Sequence, residues 1–189
     1  MEYNLEVIKE DVRVLSERDF LIKYLLESDS WYFSCLQKKD GISQMEKMKE
    51  ILSRHLGIAY NSILMVGSGK IGVSLSPGKF PKQFNDDSDI DIAIVSNKLF
   101  SGIWDQLRKD TVQYNKLICK SIFRGFINEK QFNEYTHARQ YWTSTIKEAN
   151  VEIVDKLAVY NQVNYRIYRS WEDLEEYHSK GITRIKGLI

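Results

Sequence analysis

The residues best suited to chemistry lie within positions 66–95, VGSGKIGVSLSPGKFPKQFNDDSDIDIAIV. The segment opens with the cluster GSGK and closes with two aspartates, Asp89 and Asp91. Glycines after a strand leave backbone N–H groups free to hold a phosphate. A few carboxylate oxygens together with substrate phosphates are the ligands that Mg²⁺ prefers. The segment therefore predicts a phosphate holder and a metal holder side by side, as phosphoryl transfer requires.

Two familiar nucleotide-binding motifs do not fit the glycine cluster. A P-loop aligned on Gly69 and Lys70 has Leu64 in place of its first glycine and Ile71 in place of its Ser or Thr. The Rossmann fingerprint matches in glycine spacing, but the carboxylates at 86–91 are too many and too closely packed for its single ribose-binding acid. Another kind of phosphate site and a simple turn both stay open.

Composition places the chain among ordinary globular proteins. Its 189 residues suit one domain, and a net charge of +1 argues against a surface that coats nucleic acid. No apolar run is long enough to span a bilayer, and the acidic N-terminus does not resemble a secretory signal. We therefore expect a cytoplasmic protein whose two cysteines, Cys35 and Cys119, are reduced thiols. The three scattered histidines do not predict a zinc site.

Periodicity and capping patterns predict mixed α/β structure. Helices are expected over 16–28, 43–56, 104–114, 138–160 and 170–179, with Gly57 ending the second. Strands are expected over 62–66, 89–95, 121–127 and 163–168. The aromatic run SWYFSCLQ between the first two helices is interpreted as core packing in preference to a base-stacking surface.

The two aspartates are expected to share one face of their strand. Side chains alternate along a strand, so Asp89 and Asp91 lie on one face and the isoleucines at 90, 92 and 94 on the other. Two like charges at the head of a buried strand repel and are costly to desolvate, and a divalent cation would relieve that cost. A solvated strand end is the alternative for an isolated D-x-D pair.

Gly67-Ser68 followed by Ser88-Asp89-x-Asp91 resembles the signature of the DNA polymerase β-like nucleotidyltransferase superfamily, over residues 61 to about 118. The resemblance implies an α/β fold of the α+β type, a small mixed sheet with flanking helices. It implies that Asp89 and Asp91 are catalytic and hold Mg²⁺ or Mn²⁺. Nucleotide-binding residues would be Gly67, Ser68, Lys70 and Ser88.

The activity expected from this resemblance is transfer of a nucleotidyl group from a nucleoside triphosphate to a hydroxyl, with release of pyrophosphate, in a small bacterial-type enzyme. The acceptor could be a protein side chain, an RNA end or another nucleotide. A catalytically degenerate binding or regulatory module, such as an antitoxin-like protein or a complex subunit, is the alternative. The expected organisation is a helical region at 1–60, the transferase core at 61–130 and a helix-strand-helix extension at 131–189, forming one compact unit without a membrane segment.

Two departures from the superfamily pattern stand out. The loop SLSPGKFPKQFNDD lengthens the connection between the motifs by roughly ten residues, as a substrate-side insertion or a surface flap. Active members also carry a third carboxylate on a later strand, and SIFRGFI offers none. Glu152 is the least poor candidate, although helical spacing puts it on the solvent side. Arg166 and Arg169 are interpreted as snorkelling arginines of an exposed strand in preference to nucleotide contacts, and Arg124 is a similar case.

Overall fold

A computed structural model describes residues 3–27, 29–110, 115–132 and 135–189. The helices in these ranges are α1 (Leu5–Val14), α2 (Glu17–Leu21), α3 (Gly41–Leu56), α4 (Gly67–Ile71), α5 (Asn97–Lys109), α6 (Lys116–Phe123), α7 (Thr136–Leu157) and α8 (Trp171–Lys186). The strands are β1 (Ile63–Val66), β2 (Ile90–Val95), β3 (Phe126–Asn128) and β4 (Val163–Tyr168). Short π-helical turns at Ile22–Leu26 and Tyr32–Leu36, and 3₁₀ turns at Tyr60–Ser62 and Glu129–Phe132, complete the elements.

The four strands form one mixed sheet in the order β1-β2-β4-β3. Strand β1 pairs antiparallel with β2, β2 pairs parallel with β4, and β4 pairs antiparallel with β3. The last strand in the chain therefore lies inside the sheet, next to the strand that carries the aspartates. The prediction of a small mixed sheet with flanking helices is confirmed.

Helices cover both faces of the sheet. The isoleucines of β2 are fully buried in a core that includes apolar side chains of α3, α5 and α7. On the opposite face, Val66 and Ala93 belong to a second core with side chains of α1, α2 and α8. Asp91 and then Asp89 continue this second face toward the N-terminal end of β2. The two aspartates therefore lie on the side of the sheet that α1, α2 and α8 cover.

The helix boundaries follow the caps visible in the sequence. The Ser16 hydroxyl accepts a hydrogen bond from the Asp19 N–H at the start of α2, and Ser170 accepts one from the Asp173 N–H at the start of α8. Gly57 ends α3 in the left-handed region, at a φ of 60°. The aromatic residues Tyr32 and Phe33 are buried, as predicted for core packing.

Two predicted elements need correction. Residues 121–127 were expected to form a strand, but Lys116–Phe123 is helix α6, whose N-terminus is capped by the Asn115 side chain. Gly125, with a φ of 76°, turns the chain into β3 at Phe126–Asn128. The last helix also runs beyond residue 179, to Lys186. The end of the helix predicted over 104–114 lies partly outside the described residues, because α5 is described only to Lys109 and positions 111–114 are not.

No helix in the described ranges combines the length and apolar character that a membrane crossing needs.

Candidate functional site

A cavity of about 460 Å³ opens at the end of the sheet where β1 ends and β2 and β4 begin. Gly67 and Ser68 line it from the β1 end, and Asp89 and Asp91 line it from β2. The long loop between the motifs contributes Ser74, Lys79, Lys82 and Asp87, among others. The structure therefore brings the two halves of the sequence motif together, and it places the loop against the cavity.

The backbone at Gly67 passes so close to the carboxylate of Asp91 that it leaves no room for a side chain. The residues Val66 and Asp91 are partners in the antiparallel ladder, so the chain turns out of β1 beside the aspartate. A Cβ atom at position 67 would lie 2.8 Å from Asp91 Oδ2, and the backbone there has a φ of +67°. Both features require glycine, because a side chain would push the carboxylate out of place.

The two aspartates differ in environment. Asp89 accepts a hydrogen bond from the Lys130 ammonium group, with Nζ 2.7 Å from Oδ2, and a third of its side chain is exposed. Burial raises the pKa of Asp91, against the opposing effect of the charges on Arg166 and Lys130. Asp91 is thus the carboxylate for which the charged form is costly in the free protein, and a bound cation would remove that cost.

Cationic side chains predominate around the aspartates. The positively charged lining residues are Lys79, Lys82, Arg124, Lys130, Arg166, Lys180 and Arg184, against the negatively charged Asp87, Asp89 and Asp91. Such a surplus of positive charge in a concave site attracts polyanions and raises their local concentration. The cavity is therefore suited to a polyphosphate that also brings a metal ion to the aspartates.

Not every predicted nucleotide-binding residue lies in the cavity. Ser88 lines it, with its hydroxyl donating to the Asn85 side-chain oxygen at 2.8 Å. Lys70 does not contribute to the lining, because α4 turns its side chain into the interior, where the ammonium group donates to the backbone carbonyls of Glu27 and Asp29. Lys70 is 2% exposed, and burial lowers its pKa to about 8. The structure gives Lys70 a role in packing α4.

The position next to Asp91 on the neighbouring strand is occupied by Asn164. Asp91 and Asn164 are ladder partners in the parallel pair of β2 and β4, and both line the cavity. Arg166, two residues further along β4, lies on the same face and lines the cavity too. Because β4 is an interior strand, Arg166 is not the snorkelling arginine of an exposed strand that the sequence favoured.

Glu152 lies on helix α7, outside the residues that line the cavity. Its carboxylate accepts from Arg54 at 2.7 Å, contacts His55 Nε2 at 2.7 Å and pairs with Lys156 at 2.6 Å. Hydrogen bonds from Arg54, Lys156 and His55 lower the pKa of Glu152. The side chain therefore ties α7 to α3.

Glu129 is a half-buried carboxylate that the sequence did not single out. Its Oε2 accepts from the Trp142 indole N–H at 2.6 Å, and its Oε1 accepts from the Tyr165 backbone N–H at 2.8 Å. Burial raises the pKa of Glu129. It borders a second cavity, of about 600 Å³, which shares Lys130 and Asn164 with the first. No local pattern marks Glu129, because it follows a strand whose bounds the sequence misplaced.

The metal ligands that the cavity can supply are few. Within residues 3–27, 29–110, 115–132 and 135–189, no group of three or more His, Cys, Asp and Glu side chains could hold a metal ion. Two aspartates with phosphate oxygens still make a set that Mg²⁺ accepts, since this ion is usually bound through one or two carboxylates and substrate phosphates. The donors fit an ion that is shared with a bound polyphosphate.

Comparisons of the chain with models of known protein families, with curated proteins and with solved structures gave no match.

Proposed function

We propose that this chain is a nucleotidyltransferase of the polymerase β-like type, which transfers a nucleotidyl group from a nucleoside triphosphate to a hydroxyl and releases pyrophosphate. The observation that carries the proposal is the meeting of Gly67 and Ser68 with Asp89 and Asp91 in one cavity with a cationic lining. The sequence resemblance suggested these four residues, and their shared cavity is what such a reaction would need.

The residues on each side of the cavity would have a different role in this reaction. The acceptor hydroxyl oxygen would attack the α-phosphorus as its proton passes to solvent, and the bond to the pyrophosphate oxygen would break. Ser68 and the backbone at Gly67 would hold the triphosphate, while the lysines and arginines of the lining would compensate its charge. Asp89 and Asp91 would bind Mg²⁺ or Mn²⁺, which supplies charge neutralisation at the reacting phosphate.

The acceptor would be a hydroxyl on a protein side chain, an RNA end or a nucleotide. The reaction is proposed for the bacterial cytoplasm, which contains nucleoside triphosphates and Mg²⁺. The second cavity is the proposed approach for the acceptor, because it meets the first at Lys130 and Asn164. It also presents apolar surface suited to a partner, including the exposed residues Val151, Val154 and Tyr160.

A second candidate function is a binding module that holds a triphosphate without turnover. The observation that favours it is Asn164, since an amide stands beside Asp91 where a further carboxylate would help to hold metal. Both functions use the same cavity, and they differ only in whether pyrophosphate leaves.

The test is incubation of the protein with each labelled nucleoside triphosphate and Mg²⁺ or Mn²⁺, with detection of pyrophosphate and of labelled product. We expect turnover that is lost in Asp89→Asn and kept in the matched control Asp105→Asn, an exposed aspartate of α5. Binding without pyrophosphate release, for every triphosphate and both metals, would establish the second candidate. Turnover at the wild-type rate in Asp89→Asn would contradict the assignment of the site.

A further inference from the structure

Two hydrogen-bond donors on β4 are buried in the wall of the first cavity without a protein partner. They are Nδ2 of Asn164 and Nε of Arg166, and neither has a hydrogen-bond partner in the described part of the chain. Asn164 as a whole is 3% exposed. Buried donors are rarely left unsatisfied, because a donor that loses water and gains no acceptor destabilises the folded protein. A pair of them in one cavity wall points to an acceptor that binds there.

The surroundings hold both groups in place. Gln162 Nε2 donates to Asn164 Oδ1 at 3.2 Å, so the amide oxygen is used and the amide nitrogen remains as the donor. The Arg166 guanidinium carbon lies 4.5 Å from the ring centroid of Tyr177 and 5.6 Å from that of Phe126. Stacking on aromatic rings restricts a guanidinium group without using its N–H groups. A hydrogen bond between the Arg166 and Tyr168 side chains restricts the group further and leaves Nε as the donor without a partner. Both donors are therefore fixed before any ligand arrives.

The acceptor that fits these donors is an anionic oxygen. A guanidinium group has no lone pair for a metal ion, but its N–H groups match the oxygens of a phosphate. An amide N–H₂ beside it adds a further donor to the same anion. Asp91, the ladder partner of Asn164, is the adjacent carboxylate, so an anion on this wall would also share a metal ion held by Asp91.

We propose that Asn164 and Arg166 form a phosphate-binding subsite, whose side chains hold the pyrophosphate portion of the nucleotide directly. The subsite lies in the cavity wall in which a third carboxylate would otherwise be expected. The proposal rests on the triphosphate site of the proposed function and adds a property to it. Because these donors belong to the protein, the cavity binds pyrophosphate even when no divalent cation is present. The metal ion then serves the transfer step and is not needed for binding.

Calorimetric titration with inorganic pyrophosphate, in buffer with excess chelator, tests this property. We expect saturable binding by the wild type, and affinities lower by about 10- to 100-fold in Arg166→Met and in Asn164→Asp, the range for losing a hydrogen bond to a charged group. Matched controls are Arg18→Met and Asn61→Asp, which make the same charge changes at exposed positions outside both cavities. Failure of the wild type to bind, or full binding by both variants, would overturn the subsite.

The variant Asn164→Asp is expected to have the opposite effect on the binding of a metal ion. With Mn²⁺ alone as the probe, Asn164→Asp should bind the ion more tightly than the wild type, because it places a carboxylate beside Asp91. Urea unfolding of each variant verifies that it is folded, and Asn164→Leu keeps the test open if the aspartate disturbs the fold. That variant should weaken pyrophosphate binding without improving Mn²⁺ binding. Unchanged Mn²⁺ affinity in a folded Asn164→Asp protein would contradict the placement of Asn164 beside the metal.

None of these titrations depends on turnover. A wild type that binds pyrophosphate in chelator but never releases it from a triphosphate would retain the subsite and refute the transferase activity. A wild type that turns over triphosphate but binds pyrophosphate only with Mg²⁺ would support the transferase activity and refute the subsite.

Discussion

Asp91 on β2 and Asn164 on β4 are ladder partners whose side chains line the same cavity, so the nearest neighbour of the half-buried aspartate on the next strand is an amide. An amide neither repels the Asp91 carboxylate nor shares a cation with it as a second carboxylate would. The negative charge available to a metal ion in this cavity therefore comes from Asp89 and Asp91, with Asp87 at the loop side.

Replacing Asp91 by asparagine should abolish turnover and stabilise the free protein at neutral pH. Turnover should fall by about 100-fold or more, since loss of one preorganised electrostatic contact costs that much in a transition state. The substitution stabilises the folded protein because it removes a charge that the native state disfavours. Burial raises the pKa of Asp91, which shows that its charged form is disfavoured there.

The pH dependence of the Asp91 effect gives a further check. A raised pKa in the folded state makes the wild type lose stability as the pH rises from below the ordinary carboxyl range to above the folded value. Urea unfolding at a series of pH values should show a gap between Asp91→Asn and wild type that is present at neutral pH and closes in acid. A variant less stable than wild type at neutral pH would contradict this account.

Removing the Ser68 hydroxyl should weaken triphosphate binding. Ser68 lines the cavity next to Gly67, where its hydroxyl can donate to a phosphate oxygen. We expect Ser68→Ala to lower the affinity for a non-hydrolysable triphosphate by about 1 to 3 kcal/mol. The control is Ser144→Ala on the exposed side of α7. Equal affinity in wild type and Ser68→Ala would reduce the glycine cluster to a structural turn.

Neutralising Glu152 should affect stability and leave turnover alone. Its carboxylate is engaged by Arg54, His55 and Lys156, which lower its pKa in the folded state. A lowered pKa contributes stability that is present above the ordinary carboxyl pKa and is lost as the pH falls through the folded value. Glu152→Gln should therefore unfold at lower urea than wild type at neutral pH, with a difference that shrinks in strong acid. A loss of turnover as large as that of Asp91→Asn would make Glu152 a site residue after all.

Local patterns in the sequence predicted the elements of the fold well and their arrangement less well. The alternating strand at 163–168 and the apolar strand at 89–95 were visible because side-chain burial has a period that the sequence displays. Their adjacency was not visible, because a parallel pair is joined through a long connection and no local signal specifies the partner. Here the connection contains α5, α6, β3 and α7. Asn164 and Arg166 thus escaped assignment to the site.

Lys70 and Glu129 show the same limit at the level of side chains. Lys70 is three residues from Gly67 in the sequence, yet α4 directs it into the interior, to carbonyl groups of the segment before α3. Glu129 is a half-buried carboxylate whose two partners come from α7 and β4. The spacing of residues in the sequence does not show where the side chain of Lys70 or of Glu129 points, because tertiary packing sets both.

Replacing Glu129 by glutamine should destabilise the protein, although it removes the charge of a half-buried carboxylate. Each carboxylate oxygen accepts one hydrogen bond, from the Trp142 indole and from the Tyr165 backbone. A glutamine has only one oxygen, so its N–H₂ group would face one of these donors and leave that donor unsatisfied. The expected cost is about 1 to 3 kcal/mol in the free energy of unfolding at neutral pH.

Urea unfolding of Glu129→Gln is compared with that of Glu148→Gln, an exposed glutamate of α7 for which no change is expected. Because burial raises the pKa of Glu129, the wild type itself should lose stability as the pH rises through the carboxyl range, and this slope should be weaker in the variant. Tryptophan fluorescence, to which Trp142 contributes as one of four tryptophans, should shift in Glu129→Gln and not in the control. An unchanged free energy together with an unchanged spectrum would show that Glu129 does not hold β4 against α7.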